Sequence, residues 1–314
     1  MCVGVRFTST DGSMYFGRNY DWNTSYGETV VAVPAGYPAT WRFQEPSTCK
    51  HDVIGTGIVM RGFPMFYDAA NDAGLAIANL AFAESARYPE APVEGKLNVA
   101  TYELPLWVTG CFETVAQVKE ALADGVIVGG PAGSGVTGLH WIVADATESI
   151  VIESTERGLE IFDDDVDVIT NEPDFTWHRK NLRNYAILKS EHNTGSQWGE
   201  AEVKPIGHGP ELAGLPGDYS PVSRFVKAAY VNTHYPAQES ETDNVVRMFT
   251  TLNSVAVPLG TSAMEDGTWD CTLFQDMFSA KTNTYYFSRL NETEIHAYCL
   301  DDVDFGGKTE PVKL

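Results

Sequence analysis

Positive charge is scarce in this sequence: 21 lysines and arginines stand against 43 aspartates and glutamates, a formal net charge of −22 over 314 residues. A chain that acidic repels nucleic-acid phosphates and anionic membrane surfaces at long range, so neither nucleic acid nor membrane is expected as a partner. An anionic substrate would require local Arg or Lys to override that field. Long apolar runs are also missing, since no stretch approaches the roughly 18 uninterrupted residues that span a bilayer. The opening Met1-Cys-Val-Gly-Val-Arg-Phe7 has neither the basic start nor the apolar run of a signal peptide. Cytoplasm is the expected location. Five cysteines (Cys2, Cys49, Cys111, Cys271, Cys299) are odd in number, widely spaced and without a CxxC, which excludes a disulfide framework and a zinc site. The seven histidines form no HExxH, so no metal or cofactor is expected. There is no GxSxG serine-hydrolase elbow either. One GxGxxG occurs, Gly133-Ser-Gly-Val-Thr-Gly138, but a strand pattern follows it where a phosphate cradle needs a helix, so it reads as a loop. The sequons at Asn23 and Asn291 carry no meaning without secretion.

What is present is a globular composition, 43% hydrophobic and 20% charged, with no repeat or charge-rich linker. Residues 1–314 read as one domain. Within it, 190–218 lack periodicity and form a long excursion, a plausible assembly contact. Alternation and turn signals predict an N-terminal hairpin and strands at Val53–Met60, Leu75–Phe82, Leu139–Ala144, Ser149–Ser154, Thr284–Ser288 and Glu294–Leu300. Helical spacing predicts Glu113–Ala123, then Val222–Val231 behind a Ser220-Pro221 start, then a helix capped by Thr242 or Asp243 and running to Leu252. Strands grouped in hairpins favour an α+β fold of antiparallel sheets with helices packed outside.

Cys2 stands out because of its position. Initiator methionine is generally removed before a small residue, which would leave a thiol and an α-amine on one residue. A free thiol titrates at about 8.5 and an α-amine at about 7.7 to 8.0, so the amine can take the thiol proton near neutrality. One residue then supplies both nucleophile and general base. The alternative is a small hydrophobe that merely follows the start codon. Taking Asp11-Gly12 as a two-residue turn pairs Cys2 with Asp21, whose carboxylate would hold the amine. Arg18 would favour the thiolate, although alternation in that register puts it on the opposite face, so a bulge is required to turn it inward.

These residues carry a family resemblance. The opening heptapeptide with Phe16-Gly-Arg-Asn-Tyr-Asp-Trp22 resembles the choloylglycine hydrolase family, the conjugated bile acid hydrolases and penicillin V acylases. The similarity continues through Asn71-Asp-Ala-Gly-Leu-Ala-Ile-Ala-Asn79, Leu139-His-Trp141, Val168-Ile-Thr-Asn-Glu-Pro173, Leu215-Pro-Gly-Asp218, Ser223-Arg-Phe225 and Lys281-Thr-Asn-Thr-Tyr-Tyr286. It implies the four-layer αββα sandwich of N-terminal-nucleophile (Ntn) hydrolases and a homotetramer. It implies Cys2 as nucleophile, Arg18 and Asp21 as its polar neighbours, Asn171 as an oxyanion-hole side chain and Arg224 as a nearby charge. Bile salt hydrolases usually carry a second asparagine in a Gly-Leu-Asn-Phe stretch and penicillin acylases a tyrosine there, whereas this chain reads Asn79-Leu-Ala-Phe82. Ala81 could contribute only its backbone N–H, and Asn79 lies two residues earlier on the same face. The implied reaction is hydrolysis of a glycine- or taurine-conjugated bile acid through a Cys2 thioester, with Trp22, Phe63, Phe66 and Trp141 as a candidate apolar wall or as plain core. Penicillin V hydrolysis, and an inactive binder of amphipathic anions, remain as alternatives.

Overall fold

The computed structural model describes residues 1–130 and 138–314. A hairpin of β1 (Cys2–Thr8) and β2 (Met14–Trp22) leads into β3 (Thr29–Val33), β4 (Val53–Met60), β5 (Phe63–Asn71) and β6 (Ala76–Ala81). Helices α1 (Leu104–Cys111) and α2 (Val115–Leu122) precede β7 (Leu139–Ala144), β8 (Ser149–Thr155), β9 (Gly158–Asp163) and the short β10 (Val168–Ile169). Then come α3 (Phe175–Asn181), α4 (Pro221–His234) and α5 (Glu241–Ser254). The chain closes with β11 (Cys271–Ser279), β12 (Thr284–Arg289), β13 (His296–Cys299) and β14 (Val312–Lys313). Residues 133–137 of the GxGxxG segment lie outside the described residues, and the strand expected after them is β7.

The strands form two antiparallel sheets, one ordered β10-β1-β2-β11-β12-β13 and the other β9-β8-β7-β6-β5-β4-β3-β14. Helices α4 and α5 pack on the outer face of the first, α1 on the outer face of the second. Two apolar clusters result: one joins the sheets to each other and to α4 and α5, the other seats α1 and α2 against the far face of the larger sheet. This is a four-layer αββα sandwich, the architecture that the family resemblance implies. The sheets approach so closely at Gly4 that a Cβ there would lie 3.0 Å from Ile142 Cγ2 on the facing β7, and 3.1 Å from Ile169 Cγ2 on the adjacent β10. A larger residue there would require both isoleucine side chains to shift by a few tenths of an ångström.

Local signals explain the helix starts. Ser220 accepts from Ser223 N–H with Pro221 in the first turn, and Thr114 accepts from Gln117 N–H. The cap of α5 is Ser240, which accepts from Asp243 N–H, so that helix begins two to three residues earlier than Thr242 or Asp243 would have placed it. Segment 190–218 carries a small exposed ribbon, Ser196–Trp198 with Ala201–Val203, and a 3₁₀ turn at Pro210–Leu212.

Candidate active site

The first hairpin sets the geometry. Its loop is three residues, Thr10 to Gly12, closed by Ser9 N–H bonding to Ser13 O at 2.9 Å, with Gly12 at φ 85°. A left-handed glycine in third place makes a three-residue turn, not the two-residue turn expected from Asp11-Gly12. The pairing therefore shifts by one: Cys2 lies opposite Tyr20 and Gly4 opposite Arg18. A one-residue shift exchanges the faces of every side chain on the partner strand. Arg18 thus shares the inter-sheet face with Cys2 and no bulge is needed, while Asp21 faces the helices.

Cys2 and Arg18 are both buried, and Arg18 Nη2 donates to Cys2 Sγ at 3.0 Å. Arg18 Nη1 donates to Tyr67 O at 2.9 Å and lies 3.9 Å from Asp68. Burial opposes the charge of Arg18, but Cys2, Asp68 and Asp276 outweigh it and hold the guanidinium above its ordinary value. Behind Arg18, burial pushes the Asp68 and Asp276 carboxyls up, Asp276 furthest, with Arg18 opposing in each case. The neighbouring Asp68 charge adds to the rise at Asp276. Tyr285 Oη donates to Asp68 and is itself bonded to Thr56 Oγ1 at 2.8 Å.

Asn171, just beyond β10, meets the backbone of Cys2. Its Oδ1 accepts from Cys2 N–H at 2.8 Å and from Arg224 Nη2 at 2.7 Å, and its Nδ2 donates to Ala81 O at 2.9 Å. An amide nitrogen has two hydrogens, so one is left for a second acceptor. Arg224, from the first turn of α4, also donates Nη1 to Cys2 O at 2.7 Å and to Asp21 Oδ2 at 3.4 Å. Asp21 accepts from Thr272 Oγ1 at 2.6 Å as well. Burial raises the Asp21 carboxyl against the pull of Arg224, and burial lowers Arg224 against the pull of Asp21. The group nearest the Cys2 nitrogen is thus the Asn171 carbonyl, while the Asp21 carboxylate engages Arg224 and Thr272. Met1 nitrogen sits on Asp21 O at 2.9 Å and on the Asp270 carboxylate at 3.1 Å.

Cys2 opens into a cavity of about 310 Å³ with a largely apolar lining. Trp22, Phe66, Asn79 and Ala81 line it; the sequence did not single out Tyr20, Ile58, Met65, Tyr67 or Tyr102, which also do. Asn79 has its amide nitrogen beside Phe66 O at 3.1 Å and Tyr67 O, tying β5 to β6 where their ladder ends. Alternation along β6 matters at Ala81: Phe82 N–H bonds to Gly138 O on the β7 side, so the Ala81 N–H points away from β7. Phe63 and Trp141 are placed elsewhere. Trp141 is fully buried in the cluster under α1 and α2, and Phe63 packs edge-on to Trp41 and Tyr102 outside the lining. No Lys or Arg lines the cavity among the described residues, so the cations expected for an anionic substrate stand behind the thiol. No cluster of three or more His, Cys, Asp or Glu is placed to hold a metal among the described residues, and no described helix is long and apolar enough to cross a membrane.

A profile of linear amide C–N hydrolases, choloylglycine hydrolase family, matches residues 2–312. A bile salt hydrolase/transferase of Bifidobacterium longum subsp. longum is 45% identical over 306 residues, 97% of this chain and 96% of that protein. A conjugated bile acid hydrolase of Lactobacillus gasseri is 43% identical, with 96% of each covered. The crystal structure of an R18L variant of conjugated bile acid hydrolase from Clostridium perfringens superposes with a TM-score of 0.92 at 30% identity, covering 100% of this chain and 96% of that one. Penicillin V acylase from Agrobacterium tumefaciens shares the fold, with a TM-score of 0.78 at 19% identity over 96% of this chain and 87% of that one.

Proposed function

The chain belongs to the choloylglycine hydrolase family of linear amide C–N hydrolases, and from that premise we propose that it cleaves glycine- or taurine-conjugated bile acids through a thioester on Cys2. The observation that carries this reading is a thiol held 3.0 Å from a buried guanidinium at the base of an apolar cavity. In this reading Met1 is removed, freeing a Cys2 amine beside Asn171 Oδ1. The amine takes the thiol proton, the sulfur attacks the amide carbonyl, and the amine returns the proton to the leaving glycine or taurine nitrogen. Water, deprotonated by the same amine, then attacks the thioester and regenerates the thiol. Arg18 stabilises negative charge on sulfur. The second hydrogen of Asn171 Nδ2 and the Ala81 N–H serve the oxyanion, each such donor being worth roughly 3 to 4 kcal/mol of barrier. Arg224, paired with Asp21, fixes the Cys2 carbonyl and the Asn171 amide.

Trp22, Phe66 and their neighbours receive the steroid body, while the anionic tail stays near the mouth, where an acidic protein costs it least. Residues 1–314 act as one domain in this account. The exposed Trp198 and Ile206 of the 190–218 excursion would be covered in a homotetramer in the cytoplasm, a state that light scattering would register. Turnover of glycocholate, taurocholate and penicillin V by purified protein tests the substrate class. Release of glycine or taurine well above penicillin V cleavage is expected. A preference for penicillin V would overturn the assignment, and Ala81, which removes a side chain from the oxyanion region, is the observation that keeps that comparison necessary.

A further inference from the structure

Two buried histidines that the reaction above does not use hold the backbone at and just before Asn171, the residue it depends on. His140, on β7, has Nε2 2.9 Å from Thr170 O, and His178, on α3, has Nε2 3.0 Å from Asn171 O. A carbonyl only accepts, so each Nε2 carries a hydrogen. His140 Nδ1 lies 3.2 Å from Glu153 Oε1, which also accepts from Phe175 N–H at 3.0 Å and so ties the start of α3 to the same site. His178 Nδ1 has no partner among the described residues, so that ring is the neutral Nε2–H tautomer. Burial pushes it down to about 4; the bond to Asn171 opposes that, His140 and Arg224 add to it, and Asp174 opposes.

The rings are fixed from the side as well. His140 stacks on Phe82 at 4.3 Å, and His178 stacks on Phe225 at 4.5 Å. Each phenylalanine directly follows a partner of the Asn171 side chain: Phe82 follows Ala81, whose carbonyl accepts from Nδ2, and Phe225 follows Arg224, which donates to Oδ1. Backbone and side chain of Asn171 are therefore held by one connected set of contacts.

We propose that His140 and His178 are positioning residues that set the Thr170–Asn171 backbone by paired Nε2–H bonds, so that the Asn171 amide meets both the Cys2 nitrogen and the developing oxyanion. This deepens the proposed function and rests on it for its kinetic readout. Neither histidine lines the cavity, and neither acts as acid or base.

The test compares H178F, which keeps a flat ring on Phe225 but has no N–H, with H178Q, whose side-chain amide nitrogen can reach the same carbonyl. With glycocholate, H178F is expected to lower kcat by about 10- to 100-fold with KM within about twofold, because the loss falls on transition-state geometry. H178Q is expected to recover most of that loss at a melting temperature no higher than that of H178F. A merely structural role predicts the opposite, kcat per folded enzyme following stability in both variants. Undiminished kcat in folded H178F, or H178Q as slow as H178F, would overturn the proposal. An activity-independent arm is ring ¹⁵N–¹H spectroscopy of the wild-type chain. Protected Nε2–H signals lost in H140F and H178F are expected, and an Nε2 without its hydrogen at either ring would overturn it. Absence of wild-type turnover on any bile salt contradicts the substrate assignment alone and leaves the spectroscopic arm to decide the positioning role.

Discussion

At the scale of single residues, the contact between Arg18 and the Cys2 sulfur is the interaction from which most of the chemistry follows. A guanidinium buried with a thiol stabilises the ionised sulfur by charge and by a directed N–H. Replacing it with a neutral donor, R18Q, is expected to slow alkylation of Cys2 by iodoacetamide at pH 7 about tenfold or more, measured by mass spectrometry under pseudo-first-order conditions. An unchanged rate would mean that Arg18 serves packing alone. Most of the residues around the sulfur were legible in the sequence because motif resemblance names them: Cys2, Arg18, Asn171 and Arg224 come together within hydrogen-bond contacts, and Asp21 joins them through Arg224. Their partners were not legible. Asp276 reaches Arg18 as its ladder partner across β2 and β11, Tyr285 stands on the next strand of that sheet, and Asp68 arrives only when the second sheet stacks on the first.

At the scale of elements, sequence pattern placed some strands to the residue and missed others, although nearly all of them are covered on both faces. Val53–Met60 and Leu139–Ala144 have the boundaries that alternation predicts. β11 and β3 are buried on both faces, so they carry little alternation to read. α1 is apolar on all sides because it sits wholly inside the outer layer, so it has no amphipathic stripe to announce it. The hairpin register failed for a different reason: two and three residues are both common loop lengths, and a single residue of difference moved Arg18 to the face of Cys2. Gly4 ties that hairpin to the second sheet. G4A is expected to lower stability by roughly 1 to 3 kcal/mol, read by urea denaturation, because Ile142 and Ile169 must both give way.

The turn between β9 and β10 offers a pH test. Asp164 is buried there, accepts the Val166 and Asp167 N–H groups at 3.0 and 2.9 Å, and is pushed up by burial to about 8. A carboxyl raised in the folded state contributes stability that is complete below its unfolded value, 3.8, and that is lost as pH rises to about 8. Denaturant melts from pH 4 to 9 should therefore show a decline to which Asp164 adds on the order of 1 kcal/mol per pH unit. D164N should flatten its share of the slope. An identical slope in wild type and variant would show that Asp164 ionises freely in the fold.

At the scale of the molecule, the surplus of negative charge works against an anionic substrate. The net charge of −22 is not offset by any cation in the cavity lining among the described residues. For glycocholate below its micellar range, kcat/KM should rise about twofold or more as ionic strength goes from about 0.02 to 0.2 M, because screening weakens the repulsion. A fall would place an unseen cation on the approach path. The two sheets supply what that field does not: they lock the hairpin, the Asn171 strand end and α4 into one arrangement around a single sulfur.

The most direct measurement is intact-mass and peptide analysis of the reaction quenched within its first turnovers on a conjugated bile acid. The expected result is a polypeptide lacking Met1 that carries one bile-acyl mass on Cys2, formed and lost at rates that account for turnover, and absent in C2A. Steady hydrolysis with no acyl group on Cys2, or full activity from a chain that retains Met1, would contradict the account.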